Sequence, residues 1–341
     1  LGFVWGNQLS GDWGFPDFDA HEGVHLFTDP ASGLKAVIAI HSTALGPAAG
    51  GVRFWHYVDE RAAITDALRL SRGMSFKNAM AGLPLGGGKA VVLAPEAGAK
   101  INEAQLIAFG KAVESLCGRY VTAEDVGMSE ASMKVIASQT RHVSGLPVAE
   151  GAAGGDPGPF TAKGVYLGVK AAAKRALGSD DMRGVRVAVQ GVGSVGGGLA
   201  KLLAADGAEL ILADVNAARA EQLAGELGAT TVPTDQILLQ DVDIVSPNAL
   251  GAILTPAVID ALRCKAVAGG ANNQLETKAE GQRIHDRGIV YAPDYVINAG
   301  GIINVALEYL GQGDRDEVNA RIAQIPSRLD TIWDESAATA T

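Results

Sequence analysis

Val185-Arg-Val-Ala-Val-Gln190-Gly191-Val-Gly193-Ser194-Val195-Gly196 is the stretch on which the fold turns. An apolar, β-branched run leads directly into a Gly-x-Gly-x-x-Gly spacing, and the residues to Ala205 continue with helical character. The glycine spacing alone is weak, because glycine-rich turns are common. Strand, glycine turn and helix in sequence make it the fingerprint of a dinucleotide-binding unit. Gly191 permits the tight turn, Gly193 lets backbone N–H groups reach a pyrophosphate, and Gly196 allows close helix–strand packing. Ser194 and Val195 complete the first turn of the helix. The next strand ends at Asp214, followed by Val215, close to the spacing of about twenty residues expected for a ribose-binding acid. An aspartate there accepts hydrogen bonds from ribose hydroxyls and repels a 2′-phosphate, which favours NAD over NADP.

Working outward, the pattern predicts helix 160–177, strand 185–190, helix 195–206, strand 209–214 and helix 216–227, then strands near 242–246, 265–268 and 288–291. Repeated βα units with short connections imply a doubly wound parallel sheet over 149–324. Between 145 and 159 the composition turns to Gly, Ala and Pro, which places a domain boundary there. Residues 1–148 then form an N-terminal α/β substrate domain, with a strand over 34–41 and a helix over 59–81. A strand over 90–94, a helix capped by Asn102 and a strand over 120–123 follow. The segment 325–341 is a candidate to complete this first domain, and a deep cleft is expected between the two.

With 341 residues, two domains are the natural division. Hydrophobic residues at 48% and charged residues at 19% describe a packed globular chain, not a disordered one. A net charge of −10, with no Lys/Arg-rich run, argues against a nucleic-acid partner. No apolar run is long enough to span a bilayer, and the start lacks a basic-then-apolar leader. The chain opens on Leu1 instead of Met, as a sequence with residues missing before it would. Cys117 and Cys264 lie far apart without ligand spacing, so neither a disulfide framework nor a metal site is expected. A reducing cytoplasm is the expected compartment.

Lys77 and Lys89 bracket an apolar, glycine-rich stretch that includes Gly86-Gly87-Gly88. Two cations beside a bare backbone suit a compact anion such as a carboxylate, and a small molecule could lie against the glycines. On residue type alone, solvated lysines flanking a loop are the commoner outcome. Asp125, in another polar turn, is a candidate to exchange protons beside a lysine. As a turn aspartate it could equally cap a helix or pair with a basic side chain.

Six segments in order carry a resemblance spanning nearly the whole chain. They are Leu45-Gly-Pro-Ala-Ala-Gly50-Gly51, Arg72-Gly-Met74-Ser-Phe-Lys77-Asn-Ala, Leu83-Pro-Leu-Gly-Gly-Gly-Lys89, Thr122-Ala-Glu-Asp125-Val-Gly, Gly270-Ala271-Asn272-Asn273-Gln-Leu and Ala292-Pro-Asp-Tyr-Val-Ile-Asn298-Ala-Gly-Gly301. The chain resembles the amino-acid dehydrogenase family, in its leucine, valine and phenylalanine branch. The resemblance implies reversible NAD-dependent oxidative deamination of an apolar amino acid to its 2-oxo acid and ammonium, in a homo-oligomer. It implies that Lys77 binds the substrate carboxylate, that Lys89 polarises the substrate and activates water, and that Asp125 exchanges protons with the amino group. Gly50 and Gly51 would form the pocket floor beside Met74. Asn272 would hold the substrate carboxylate or the nicotinamide ribose region. Asn248, Ala271 and Asn298 would contact the cofactor.

Substrate choice follows from the same comparison. Glutamate-specific members carry a lysine where this chain has Ala49, so glutamate is disfavoured, and Ile302 and Val305 would line an apolar pocket. The Ala-Glu-Asp-Val segment resembles the leucine/valine type while Ala49 leans toward phenylalanine. Branched-chain substrates rank first, with a phenylalanine-preferring or broad-range enzyme as the alternative and a non-catalytic NAD-binding regulator behind it. Two departures stand out: Asn248 occupies a position often held by Cys in close relatives, and Gly270 replaces a more usual Ala. The chain also ends before the family's usual C-terminal helix.

Overall fold

A computed structural model describes residues 13–147, 151–249 and 251–339. The chain divides into two units, Leu1–Val148 and Ala149–Thr341. The start of the chain, where no leader is read, and 148–150 within the expected boundary lie outside the described residues.

The first unit runs β1 (Gly23–Asp29), β2 (Leu34–Ser42), β3 (Ala48–Trp55), α1 (Glu60–Met80), β4 (Gly86–Leu93), α2 (Glu103–Glu114), β5 (Tyr120–Glu124) and α3 (Glu130–Ala137). The sheet order is β1-β2-β4-β3-β5, with β1 and β4 antiparallel to β2 and with β3 parallel to both β4 and β5. Alternation along β2 divides its two faces. Ile38 and Ile40 join Val52, Phe109, Tyr120, Met133 and Ile136 under α2 and α3, whereas Val37 and Ala39 join Val91 against Ala63, Ala67 and Leu68 of α1. Asp59 caps α1 by accepting from Ala62 N–H, and Asn102 and Gln105 form a capping box on α2.

The triple glycine does something other than present bare backbone to a ligand. Gly86, Gly87 and Gly88 open β4 and are buried. A Cβ on Gly87 would come within 2.1 Å of Ser75 Oγ, and one on Gly88 within 2.7 Å of the Tyr120 ring. The missing side chains let α1 and Tyr120 seat directly on the strand.

The second unit begins with α4 (Gly158–Leu177) and continues β6 (Arg186–Gln190), α5 (Ser194–Ala205), β7 (Glu209–Ala213), α6 (Ala217–Leu227), β8 (Thr230–Thr231), β9 (Ile244–Pro247), α7 (Pro256–Ala261), β10 (Ala266–Val267), α8 (Ala279–Asp286) and β11 (Val290–Tyr291). It ends with α9 (Asp294–Ile297), α10 (Gly300–Tyr309), α11 (Arg315–Ile322) and α12 (Ile325–Thr339). All six strands are parallel, in the order β11-β10-β9-β6-β7-β8. The order in which strands are added therefore reverses between β6 and β9. In a doubly wound sheet that point opens a crevice at the carboxyl ends of the strands, where nucleotides bind.

The C-terminal segment corrects one expectation: 325–341 was a candidate to complete the first domain, but α12 packs within the second unit. Ile325, Leu329 and Trp333 are buried, Arg175 of α4 pairs with Asp334 at 2.6 Å, and Trp333 Nε1 donates to Tyr291 O at 2.7 Å. An amphipathic helix goes where its apolar stripe is covered, and here α4 and α9 cover it. Among the described residues no helix is long and apolar enough to cross a membrane.

Candidate active site

In the first unit, Lys89 of β4 is 7% exposed, and its Nζ lies 2.5 Å from Asp125 Oδ2, just past the end of β5. Asp125 is held there by its turn, in which its carbonyl accepts from Met128 N–H and Phe54 N–H bonds Val126 O. Arg53 of β3 adds a second cation, with Nε 3.3 Å from the same Oδ2. Burial alone would raise the Asp125 carboxyl, but Lys89 and Arg53 overcome it and hold the group well below the usual carboxylate range. Arg53 also reaches Asp66 of α1 at 2.9 Å, and Tyr57 OH donates to that same Asp66 oxygen at 2.5 Å. The result is a cluster of two cations and two carboxylates on the α1 face of the sheet, Lys89 buried and the other three half-buried. At its centre is a carboxylate able to accept a proton next to a lysine able to give one.

The last turns of α1 lie along the start of β4. Asn78 Nδ2 donates to Gly86 O at 2.5 Å, and Ser75 Oγ meets His41 Nδ1 at 2.7 Å. Lys77, half-buried, stands between these anchors. Gly50 and Gly51 sit in β3 where side chains have no room: a Cβ on Gly50 would meet Gly88 O at 1.9 Å and Met74 Cγ at 3.0 Å, and one on Gly51 would meet Asp125 Cβ at 3.0 Å. Ala49 is buried on β3, opposite Gly87 of β4.

In the second unit, Gly191 takes φ +82°, a conformation that favours glycine, and a Cβ on Gly196 would collide with Gly191 O at 1.9 Å. Gly193 has open space where a Cβ would point, and it caps α5 without any side-chain hydrogen bond. Ser194 and Val195 follow on the first turn. Backbone N–H groups facing open space at a helix N-terminus suit a pyrophosphate. The Asp214 side chain is 7% exposed, with Oδ2 accepting from Val192 N–H and Oδ1 from Asn216 N–H, both at 2.8 Å. Beside it Val215 is 93% exposed. These residues fit a dinucleotide.

Across the reversal point, Asn248 follows β9. Its Nδ2 donates to Ser246 O and Oγ, and its Oδ1 accepts from Gly270 N–H at 2.8 Å. Gly270 O accepts from Asn298 Nδ2, which also donates to Asn272 Oδ1 at 2.9 Å. Asn298 Oδ1 is buried and bonds to no protein group, so it remains an acceptor for a ligand. Ala271 is buried, its N–H bonded to Pro247 O. Ile302 and Val305 lie one turn apart on α10, the first half-buried and the second buried.

Residues 21–142 match the model of the Glu/Leu/Phe/Val dehydrogenase dimerisation domain, and residues 211–341 match that of glutamate/leucine/phenylalanine/valine dehydrogenase. The chain is 52% identical to a leucine dehydrogenase of Thermoactinomyces intermedius over 92% of its length and 85% of that protein's. The chain belongs to this family. It is an amino-acid dehydrogenase of the leucine/valine branch. A valine dehydrogenase of Streptomyces virginiae is 46% identical, with 91% of this chain and 85% of that one covered. The crystal structure of an L-tryptophan dehydrogenase from Nostoc punctiforme superposes with a TM-score of 0.78 at 39% identity, covering 94% and 92% of the two chains.

Within this dehydrogenase the two departures noted in the sequence prove to be one. A Cβ on Gly270 would come within 3.0 Å of Asn248 Oδ1 and of Val165 Cγ2, so the larger polar residue at 248 and the smaller one at 270 accommodate each other. Asn248 thereby braces the turn that carries Ala271 and Asn272, and its own carboxamide is used up in doing so. Arg53, Asp66 and Tyr57 were not anticipated. A signal existed: Arg53 is a lone charge in an otherwise apolar strand, two residues from Gly51, and Asp66 falls three residues after Ala63 on the inward side of α1.

Proposed function

We propose that this dehydrogenase carries out the reversible oxidative deamination of a branched-chain L-amino acid with NAD, leucine first, then valine and isoleucine. The overall reaction takes the amino acid, NAD⁺ and water to the 2-oxo acid, NADH, ammonium and a proton. Bound NAD supplies the hydride acceptor, held by Gly191, Gly193, Ser194, Val195, Gly196, Asp214 and Val215, with Ala271 and Asn298 toward the nicotinamide. Lys77 binds the substrate carboxylate. Asp125, ionised between Lys89 and Arg53, accepts a proton from the substrate ammonium, which must be neutral before its carbon can lose hydride. Asp125 then releases that proton to solvent, the proton of the overall reaction. Lys89, as its ammonium, polarises the water that attacks the iminium carbon, and Asp125 takes that water's proton and hands it to the departing ammonia. The ion pair of Lys89 and Asp125 at 2.5 Å carries this reading, because the chemistry needs a proton donor and an acceptor in contact.

The substrate ranking rests on Ala49, which cannot pair with a side-chain carboxylate, on the apolar Ile302 and Val305, and on the leucine and valine dehydrogenases among the relatives. One methylene distinguishes apolar substrates by only about 1–3 kcal/mol, so phenylalanine would be a poorer substrate and not an excluded one. A homo-oligomer built through the first unit accords with the dimerisation-domain match. NADH formation with leucine, valine, isoleucine, phenylalanine and glutamate, each with NAD and NADP, tests the reading. Turnover of glutamate above leucine would refute the Ala49 argument, and equal use of NADP would refute the role of Asp214.

A further inference from the structure

Arg53 is more than a neighbour of Asp125. Its inner nitrogen, Nε, meets Asp125 Oδ2 at 3.3 Å, and an outer nitrogen, NH1, meets Asp66 Oδ2 at 2.9 Å. Two contacts from one planar fork to carboxylates on different elements fix the plane of the guanidinium, which a lysine ammonium could not do. Asp66 is itself fixed by Tyr57 OH at 2.5 Å. The groups that bear on Asp125 are Lys89 from β4, Arg53 from β3 and Tyr120 from β5, with Asp66 of α1 and Tyr57 behind Arg53. Two cations and two carboxylates balance in charge, and three ion pairs join them into one network.

We propose that Arg53 is a positioning residue for the reaction: it orients Asp125 toward Lys89 from a guanidinium that Asp66 and Tyr57 hold in place. This rests on the assignment of proton exchange to Asp125. A carboxylate displaced by even an ångström from its reacting partner can cost about 10²-fold in rate, so the expected effect falls on kcat. Loss of the guanidinium also removes a cation from beside the carboxylate. Its ionised form then disappears at a higher pH as pH falls, and the acid limb of kcat/KM moves up.

The experiment compares Arg53→Gln, Arg53→Lys and Asp66→Asn, with Arg53→Gln also placed on Asp125→Asn, measuring kcat, KM and the pH profile of leucine oxidation. Arg53→Gln is expected to lower kcat about 10²-fold with KM nearly unchanged and to shift the acid limb upward. Arg53→Lys, which keeps the charge but not the fork, is expected to recover part of the rate and the position of the limb. Asp66→Asn leaves both cations at Asp125 and is expected to lower kcat without an upward shift. On Asp125→Asn, Arg53→Gln is expected to cost nothing further in kcat. An unmoved profile, or a full additional loss on that background, would show Arg53 to be merely structural and overturn the inference. If Arg53→Gln does not fold, unchanged kcat and pH profile in the other two variants overturn it equally. An Asp125→Asn enzyme of full activity would overturn the role of Asp125 itself, a separate result.

Discussion

Replacing Lys89 by methionine separates what the ion pair does for folding from what it does for chemistry. Methionine keeps most of the apolar stem and removes the ammonium 2.5 Å from Asp125 Oδ2, so cavity terms are small. Removing one partner of a buried pair ordinarily costs about 3–5 kcal/mol, because the other charge is left uncompensated. Here Arg53 Nε stays 3.3 Å from the same oxygen, so the expected loss is about 1–3 kcal/mol, that of one charge-assisted hydrogen bond. The pH dependence has a definite sign. Asp125 is depressed in the folded protein against an unfolded value of about 3.9. Its contribution is therefore fully present above that value and is lost as pH falls from there toward the folded value. The variant depresses Asp125 less, so the stability gap from the parent protein should be widest near neutrality and narrow below about pH 4. Urea unfolding at a series of pH values reads the gap, and leucine-dependent NADH formation reads a rate loss of about 10²–10⁴-fold. A full 3–5 kcal/mol loss, or a gap that widens in acid, would refute the electrostatic account, and an undiminished rate would remove Lys89 from the mechanism.

Other positions give independent tests. Gly270→Ala pushes a Cβ against Asn248 Oδ1 and Val165 and should cost about 1–3 kcal/mol in urea unfolding, with Asn248→Ala in the same chain recovering part of the loss. Asp214→Ala strands the N–H groups of Val192 and Asn216; calorimetric titration should show weaker NAD binding and a smaller preference over NADP. Asn304, buried on α10, exchanges two hydrogen bonds with Gly154, accepting from its N–H at 2.8 Å and donating to its carbonyl at 2.9 Å. Asn304→Leu should therefore lower stability by about 2–5 kcal/mol, on the scale of two buried groups left unpaired, and hydrogen exchange at Gly154 should accelerate.

The second unit was readable because its elements are local and repetitive. β6, α5 and β7 each carry their own periodicity, and Asp214 is located by counting along the chain. The first unit was legible where helices announced themselves through Asp59 and Asn102, and less so at β3. No strand was read over 48–55, and Gly50 and Gly51, expected as a pocket floor, lie in β3, where they answer to Gly88, Met74 and Asp125, residues distant in sequence. The unread strand concealed Arg53, whose significance depends on Asp125 just past β5 and on Asp66 of α1. The triple glycine was misread for the same reason, since Ser75 and Tyr120 approach it from elsewhere in the chain. α12 follows the rule as well, since the surface that covers its stripe comes from α4 and α9, earlier in the chain.

The carboxylate of Asp214 has one further consequence. Both of its oxygens are already engaged by backbone N–H groups of the glycine turn and of the α6 cap, so folding has fixed its rotamer before any ligand arrives. Ordering an interfacial side chain on binding costs about 0.5–1.5 kcal/mol, and here that ordering is complete beforehand. In its proposed role the acid thus offers the ribose a preorganised acceptor, and the turn it ties down is the one that would cradle the pyrophosphate. Recognition of the sugar and of the phosphates would share a single rigid element, so weakening one half of the dinucleotide site would loosen the other.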